Sequence, residues 1–157
     1  MSYDIHSAQD LFNAICKINE KFYKPSSENI IYLEELCNEN FIAYIISLRD
    51  AYSHLVKAFD YTDFSSPDNI EKINKQLERY SSHLERLLFD TYQKIISAKS
   101  HELWAILPDE QKGAIKTQLA IKIKELRIVS DITTNDEKVE GYTKIIDFIE
   151  EAYKKRY

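Results

Sequence analysis

The sequence predicts an all-α fold, namely an antiparallel bundle of four to five main helices with one long central helix. The chain has 157 residues but only 2 Gly and 3 Pro, and antiparallel β-structure needs many such turn residues. Apolar residues also recur at steps of three and four over most of the chain, which is the period of an amphipathic helix. Because the length is that of one domain, we expect a single helical domain over residues 1–157.

Composition and charge argue against several classes of protein. Hydrophobic residues make up 44% and charged residues 30%, which is typical of a globular chain. The net charge of -5 gives no general attraction to phosphate, so tight binding of duplex nucleic acid is not expected. No apolar run approaches the roughly 20 residues that span a bilayer, and the first residues lack a signal-peptide pattern. We therefore expect a cytoplasmic location without membrane contact, with Cys16 and Cys37 as reduced core thiols.

Two or three helices are expected in the first sixty residues, because the sequence does not fix the number of helices between residues 28 and 60. The first begins near Ser7, with Asp10 three residues on as its capping partner, and the Pro-Ser-Ser segment at 25–27 ends it. A second begins near Glu28, and residues 38–40 either bend or break it. Residues 41–60 are helical, either as a separate helix or as a continuation of the second. The predicted buried face of this segment consists of residues at alternating steps of four and three, which are Phe41, Ile45, Leu48, Tyr52, Leu55 and Phe59.

A long helix is expected next. Ser66 and Pro67 mark its start, since proline at the first helical position has no N–H that needs a partner. The helix runs to at least Ile96, and to Ile106 if residues 97–100 do not interrupt it. A helix of about 30 residues is roughly 45 Å long. A helix of that length extends beyond a compact helical core. Its extra turns either project or pack on a second subunit, so we expect a homodimer.

Two further helices complete the chain. One starts at residues 108–110, where acidic side chains are favourable in the first helical turn, and continues to about Val129. The last follows residues 134–137, where Thr134 and Glu137 are spaced as a capping box.

The helix predicted over residues 41–60 also carries a polar stripe. With Arg49 at 0° and 100° per residue, Ser53 lies at about 40°, Lys57 at about 80°, Asp50 at about 100° and His54 at about 140°. Asp50 and His54 are four residues apart, so their side chains can hydrogen-bond directly. The stripe thus combines an acid–base group, an orienting carboxylate and a guanidinium that fits a phosphate.

This segment resembles the signature of the HEPN superfamily of all-α domains. That signature is an arginine followed, after four to six residues, by a histidine, with a polar residue directly after the arginine. The sequence here runs Arg49-Asp50-Ala51-Tyr52-Ser53-His54, so all three conditions are met. The resemblance covers these six residues and the fold class.

The resemblance implies metal-independent RNA cleavage by a homodimer in which two Arg/His pairs face one cleft. His54 would act as general base or acid on the 2′-hydroxyl and the leaving oxygen. Arg49 would hold the scissile phosphate, and Asp50 would orient His54 or Arg49. The products would be a 2′,3′-cyclic phosphate and a 5′-hydroxyl, with single-stranded RNA as the substrate. No metal or cofactor is implied, and a toxin or antiphage effector, with an antitoxin or other protein partner, would be a fitting role.

A second polar stripe lies on the long helix. Arg79, His83, Arg86 and Asp90 step by four, three and four residues and so share one helical face. Where that face borders the first stripe, it would extend an RNA-binding cleft; otherwise it is a solvated or intersubunit salt-bridge ladder. Tyr52 stands close enough to the motif to stack on a base. The candidate substrate-binding residues are Tyr52, Ser53, Lys57, Arg79, His83 and Arg86.

Two other interpretations stay open from sequence. One is a non-catalytic HEPN-like module that binds a protein or nucleotide partner. The net acidity favours it, as does Val56, which stands where many HEPN toxins paired with nucleotidyltransferase-like antitoxins carry a tyrosine. The other is a purely structural bundle whose Arg49 and His54 belong to an ordinary solvated helix face.

Overall fold

The fold is all-α, as the sequence predicts. The computed structural model describes residues 3–37, 42–61, 63–129 and 134–155, and within these ranges it contains helices and no β-strand. The helices are α1 (Ala8–Ile18), a π-helical turn (Asn19–Tyr23), α2 (Lys24–Cys37), α3 (Ile42–Ala58), α4 (Pro67–Ile106), α5 (Asp109–Val129) and α6 (Asn135–Lys154). Because α1 and α2 join through the π-helical turn, five main helical segments result, and the 40-residue α4 is the long central helix.

The chain divides into two compact units, Met1–Thr91 and Tyr92–Tyr157, and α4 contributes to both. Each unit has its own buried apolar residues. In the first unit they include Leu11, Ile18, Phe22, Leu33, Ile73, Leu77, Tyr80, Leu84 and Leu88, and in the second Ile96, Leu103, Leu107, Leu119, Ile145 and Ile149. The expectation of one domain over residues 1–157 stays a prediction. Within the described ranges, no helix is both long and apolar enough to cross a bilayer.

The start of α1 is capped as the sequence predicts. The Ser7 hydroxyl accepts a hydrogen bond from the backbone N–H of Asp10 at 3.2 Å, and Asp10 Oδ2 in turn accepts from the Ser7 hydroxyl at 2.8 Å. The hydrogen bond from Ser7, together with one from the backbone N–H of His6, lowers the pKa of Asp10. These bonds satisfy donors that the first helical turn leaves without a partner.

The predicted end of the first helix at residues 25–27 is wrong, because the helical backbone continues through Pro25. Proline has no N–H to donate and its ring meets the carbonyl four residues back, here that of Lys21. Lys21 lies in the π-helical turn, where the N–H of Lys24 bonds to Asn19 O, five residues back. This wider turn relieves the conflict at Lys21. The Ser26 hydroxyl then donates to the Phe22 carbonyl at 2.6 Å. The bend or break predicted at residues 38–40 lies outside the described residues.

The predicted buried face of α3 is also corrected. Ala51 and Ala58 are fully buried, whereas Ile45 is 63% and Phe59 55% exposed. Leu48 and Leu55 are half-buried, Tyr52 is 37% exposed, and Phe41 lies outside the described residues. Apolar residues occur on both sides of α3, so the period alone does not say which side packs. The side with the two alanines is the buried one, since a small side chain lets a helix approach its neighbours closely.

The remaining helix boundaries agree with the sequence. The carbonyl of Ser66 accepts from Asn69 and Ile70 N–H at the start of α4, and α4 continues through residues 97–100 to Ile106 without interruption. At α6, Thr134 and Glu137 form the capping box, with the Thr134 backbone N–H donating to Glu137 Oε2 at 2.8 Å.

Candidate functional site

The Arg49–His54 segment lies on α3 in the first unit, and the buried alanines decide which way its side chains point. Ala51 faces the interior of the unit. Arg49 is therefore on the outer side, with 74% of its side chain exposed, while His54 is half-buried and contacts α4. The two residues that carry the motif thus have different environments.

Arg49 is paired with its sequence neighbour. Its Nε and Nη2 donate to the same Asp50 oxygen, Oδ1, at 3.1 and 2.8 Å. Both side chains are substantially exposed, so the pair adds little stability in water. Of the two side chains that Asp50 could orient, Asp50 bonds to Arg49, and within the described part of the chain it makes no hydrogen bond to His54. The pairing keeps the guanidinium on the α3 surface.

His54 is held by two residues of α4. Its Nδ1 lies 2.8 Å from Gln76 Oε1, and an amide oxygen accepts hydrogen bonds but does not donate them. Nδ1 therefore carries the proton in the neutral imidazole, and Nε2 keeps its lone pair. The ring also stacks on that of His83, with centroids 5.2 Å apart and planes inclined by 23°. Position and tautomer of His54 are thus set by α4, and Nε2 is the atom left to accept a proton.

Tyr52 belongs to a tyrosine cluster. Its ring packs edge-on against Tyr23 at 6.2 Å and tilted against Tyr80 at 5.9 Å. Tyr80 is fully buried and its hydroxyl donates to Asn19 Oδ1, in the π-helical turn. Burial raises the pKa of Tyr52, and the neighbouring Tyr23 raises it further. Burial also raises the pKa of Tyr80, and Tyr52 adds to that rise. The Tyr52 ring therefore contacts two other tyrosines and is still 37% exposed.

The other candidates on α3 are exposed. The Ser53 hydroxyl donates to the Asp50 backbone carbonyl at 2.7 Å, so its proton is engaged within the helix. Lys57 is exposed one turn further on. Both residues stay near the motif in space because they share its helix.

The stripe on α4 meets the motif at one point. His83 stacks on His54, so the face of α4 that carries Arg79, His83 and Arg86 borders the α3 stripe, as one of the two expectations requires. Arg79 is exposed. Arg86 Nε lies 3.7 Å from Asp90 Oδ2, which is the salt bridge that the other expectation describes. The α4 stripe therefore borders the motif through His83 and also contains a salt bridge between Arg86 and Asp90.

Gln76 is the site residue that the sequence interpretation missed. It lies 22 positions from His54, so no local spacing connects them. A signal was nevertheless present, because Gln76 stands three residues before Arg79 and seven before His83, on the same helical face. The roles of Tyr23, Tyr80 and Asn19 around Tyr52 were also missed, and they depend on a packing of three helical segments that has no short sequence signature.

An exposed apolar surface surrounds Arg49 on the outer side of α3. Its members, here called the outer α3 face, are Ile42, Ile45, Ile46 and Val56, each between 46% and 66% exposed. Four large aliphatic side chains on one helix face are unusual for a surface that meets only water. Arg49 lies in the middle of this face in helical register.

The arrangement provides a half-buried imidazole whose Nε2 has no hydrogen-bond partner in the described part of the chain, an exposed guanidinium on the neighbouring face and further basic groups on α4. Such groups suit proton transfer and phosphate binding. Among the residues that the structure describes, no group of three or more His, Cys, Asp or Glu side chains is placed to hold a metal ion. Comparison of the chain with models of known protein families, with curated proteins and with solved structures finds no match.

Proposed function

We propose that this chain is a metal-independent endoribonuclease of the HEPN type that acts as a homodimer on single-stranded RNA. The observation that carries the proposal is the environment of the motif residues: Gln76 and His83 hold the His54 ring, its Nε2 makes no hydrogen bond to the residues that the structure describes, and Arg49 is exposed on the same helix. The proposal needs no cofactor, and its substrate is one found in the cytoplasm.

The proposed reaction is an internal transesterification. Nε2 of His54 accepts the proton of the ribose 2′-hydroxyl, and the 2′-oxygen forms a bond to phosphorus. The bond between phosphorus and the 5′-oxygen breaks, and the leaving oxygen takes the proton from the His54 imidazolium formed in the first step. Arg49 stabilises the negative charge on the phosphate oxygens. The products are a 2′,3′-cyclic phosphate and a 5′-hydroxyl.

A homodimer is part of the proposal because one chain offers an incomplete site. Arg49 and His54 lie on different sides of α3, and no hydrogen bond joins them within the described residues. A twofold axis perpendicular to α3 would set two α3 helices antiparallel and bring Arg49 to the level of His54 of the partner subunit, and contact through the outer α3 face would bury its apolar side chains. In this dimer, burial of apolar side chains would drive association, and each site would gain both an Arg49 and a His54.

The test is RNA cleavage in the presence of EDTA by the purified full-length chain. We expect single-stranded RNA to be cut to products with 2′,3′-cyclic phosphate ends. His54→Ala and Arg49→Ala should each lower the rate by at least a hundredfold, since each removes a group that acts in the transition state. His101→Ala is the matched control because His101 is an exposed histidine on α4, outside the site. Cleavage that persists in both site variants would overturn the assignment.

The biological role that fits this activity is a toxin or antiphage effector whose RNA cleavage stops growth. Induced expression of the wild-type chain should then arrest growth of a bacterial host, and expression of His54→Ala at the same level should not. A protein that neutralises the toxin would be the corresponding antitoxin.

A second candidate function is a non-catalytic module that binds a protein partner. The outer α3 face favours it, because exposed aliphatic residues around an arginine are typical of protein interfaces. This alternative requires intact RNA in the EDTA assay and a heteromeric complex that Arg49→Ala weakens. The two candidates therefore make opposite predictions for the same purified protein.

A further inference from the structure

The second unit contains a cavity that the proposed nuclease site does not use. It has a volume of about 380 Å³ and lies between α4, α5 and α6. Cavities of this size accommodate small organic molecules. Its buried interior is formed by Ile96, Leu119 and Ile145, and Ile123 and Leu126 add half-buried apolar walls.

One buried polar group lines this apolar cavity. Ser100 is 8% exposed, and its Oγ has no hydrogen-bond partner among the residues that the structure describes. A buried hydroxyl without a partner costs about 1–3 kcal/mol, so such groups are normally satisfied. A bound molecule with a polar atom near Oγ would provide the missing hydrogen bond.

Six other hydroxyls in the described helices differ from that of Ser100. A serine or threonine inside a helix commonly donates to a carbonyl three or four residues back. The following residues do so here: Ser26, Ser47, Ser53, Thr91, Thr117 and Thr143. Ser100 lies in the same kind of backbone without such a bond, and its hydroxyl stays available to the cavity.

Polar groups also mark the exposed side of the cavity. Gln93 and Ser97 are exposed lining residues on α4. Gln93 Nε2 donates to the Tyr142 hydroxyl at 3.1 Å, and the Tyr142 ring stacks on Tyr92 with centroids 5.4 Å apart. The lining therefore has an apolar interior with one hydroxyl, and a polar edge in which Tyr142 is held in place.

We propose that this cavity binds an uncharged amphipathic molecule, with an aliphatic or aromatic body among the isoleucine and leucine side chains and a polar group at Ser100. The lining includes no ionised side chain, and an ion buried without a partner of opposite charge is unfavourable. The ligand is therefore neutral, with an alcohol, carbonyl or amide as its polar group.

The probe for this site is 4-phenylbutan-1-ol, with 4-phenylbutyrate as its charged counterpart of the same body. NMR amide shifts of the full chain report binding by residue. We expect the alcohol to shift lining amides on α4, α5 and α6 saturably, with a dissociation constant on the order of 0.1 mM. The carboxylate should bind at least tenfold more weakly because its charge has no partner there.

Variants at Ser100 test the role of the hydroxyl. Ser100→Ala should weaken binding of the alcohol about fivefold, which corresponds to one hydrogen bond. Ser82→Ala is the matched control, since Ser82 is an exposed serine of α4 outside the lining. Ile123→Phe places a larger side chain in the half-buried wall of the cavity. The smaller cavity should no longer bind the alcohol.

Three results would overturn the proposal. The first is an absence of saturable shifts at the lining amides in the wild-type chain up to 5 mM alcohol, roughly fifty times the expected dissociation constant. The second is equal affinity for the alcohol and the carboxylate. The third is unchanged affinity in both Ser100→Ala and Ile123→Phe. None of these measurements uses RNA, so they are independent of the proposed nuclease activity.

Discussion

Gln76 Oε1 of α4 accepts a hydrogen bond from His54 Nδ1 of α3 at 2.8 Å, across 22 positions of sequence. This contact defines which imidazole nitrogen can act as a base. The stacked ring of His83 on the same helix limits rotation of His54. Together they connect a short motif on one helix to a polar stripe on another, and they lead to the first prediction.

Replacement of Gln76 should impair catalysis without removing a catalytic group. In Gln76→Leu the acceptor for Nδ1–H is lost, the other tautomer becomes accessible, and we expect the cleavage rate to fall about tenfold to a hundredfold. Gln76→Glu keeps an acceptor and should retain most of the activity. Gln118→Leu, at an exposed glutamine of α5, is the control. Independently of activity, ¹⁵N NMR of neutral His54 should show the proton on Nδ1 in the wild type. An Nε2-protonated ring would contradict the assignment.

Inactive variants should complement each other if the site is formed by two subunits. A heterodimer of Arg49→Ala and His54→Ala contains one site with both Arg49 and His54 and one site with neither. With random mixing, half of the dimers are heterodimers, so we expect about a quarter of the wild-type rate. The measurement is RNA cleavage after the two variants are mixed and allowed to exchange subunits. No recovery, with exchange shown by mass spectrometry, would place Arg49 and His54 in one subunit's site.

The outer α3 face should be needed for dimerisation but not for folding. Ile45 is 63% exposed in the single chain, so Ile45→Lys leaves the interior unchanged and places a charge in the proposed contact. We expect a monomer by analytical ultracentrifugation, with helix content and unfolding midpoint close to those of the wild type. The matched variant Ile121→Lys changes an isoleucine on α5 that is 51% exposed and should leave the dimer intact. A wild-type chain that is monomeric at high concentration would contradict the dimer.

Stability should decrease at alkaline pH because of the tyrosine cluster. Burial raises the pKa of Tyr80 above its value of about 10 in the unfolded chain. The folded state therefore keeps a proton that the unfolded state releases. The contribution of Tyr80 to the free energy of unfolding is fully present below about pH 10 and is lost as the pH rises further. Urea unfolding at a series of pH values from 7 to 11 measures this decrease in the free energy of unfolding.

Tyr80→Phe separates two contributions of that side chain. At pH 7 the variant lacks the hydrogen bond to Asn19 and should be less stable by about 1 kcal/mol. Above pH 10 its stability should fall less steeply than that of the wild type, since one titrating group is gone. If the free energy of unfolding falls equally steeply with pH in the two proteins, Tyr80 does not contribute to the loss of stability at alkaline pH.

Sequence alone determined the helical class, the long α4 and the helix caps at Ser7 and Thr134. Each of these depends on residues within a few positions of one another, so local spacing is sufficient. The same local rule failed at Pro25, where a π-helical turn lets the helix continue. It also failed on α3, where apolar residues on both sides made the buried face ambiguous.

Tertiary structure alone decided what surrounds the motif. Spacing within α3 allowed Asp50 to bond either to His54 or to Arg49, and it contained no information on Gln76. The close packing of α3 through Ala51 and Ala58 turned His54 toward α4 and left Asp50 to Arg49 on the surface. Hydrogen bonds between distant residues depend on how helices pack, and packing depends on the summed burial of many side chains rather than on any short pattern.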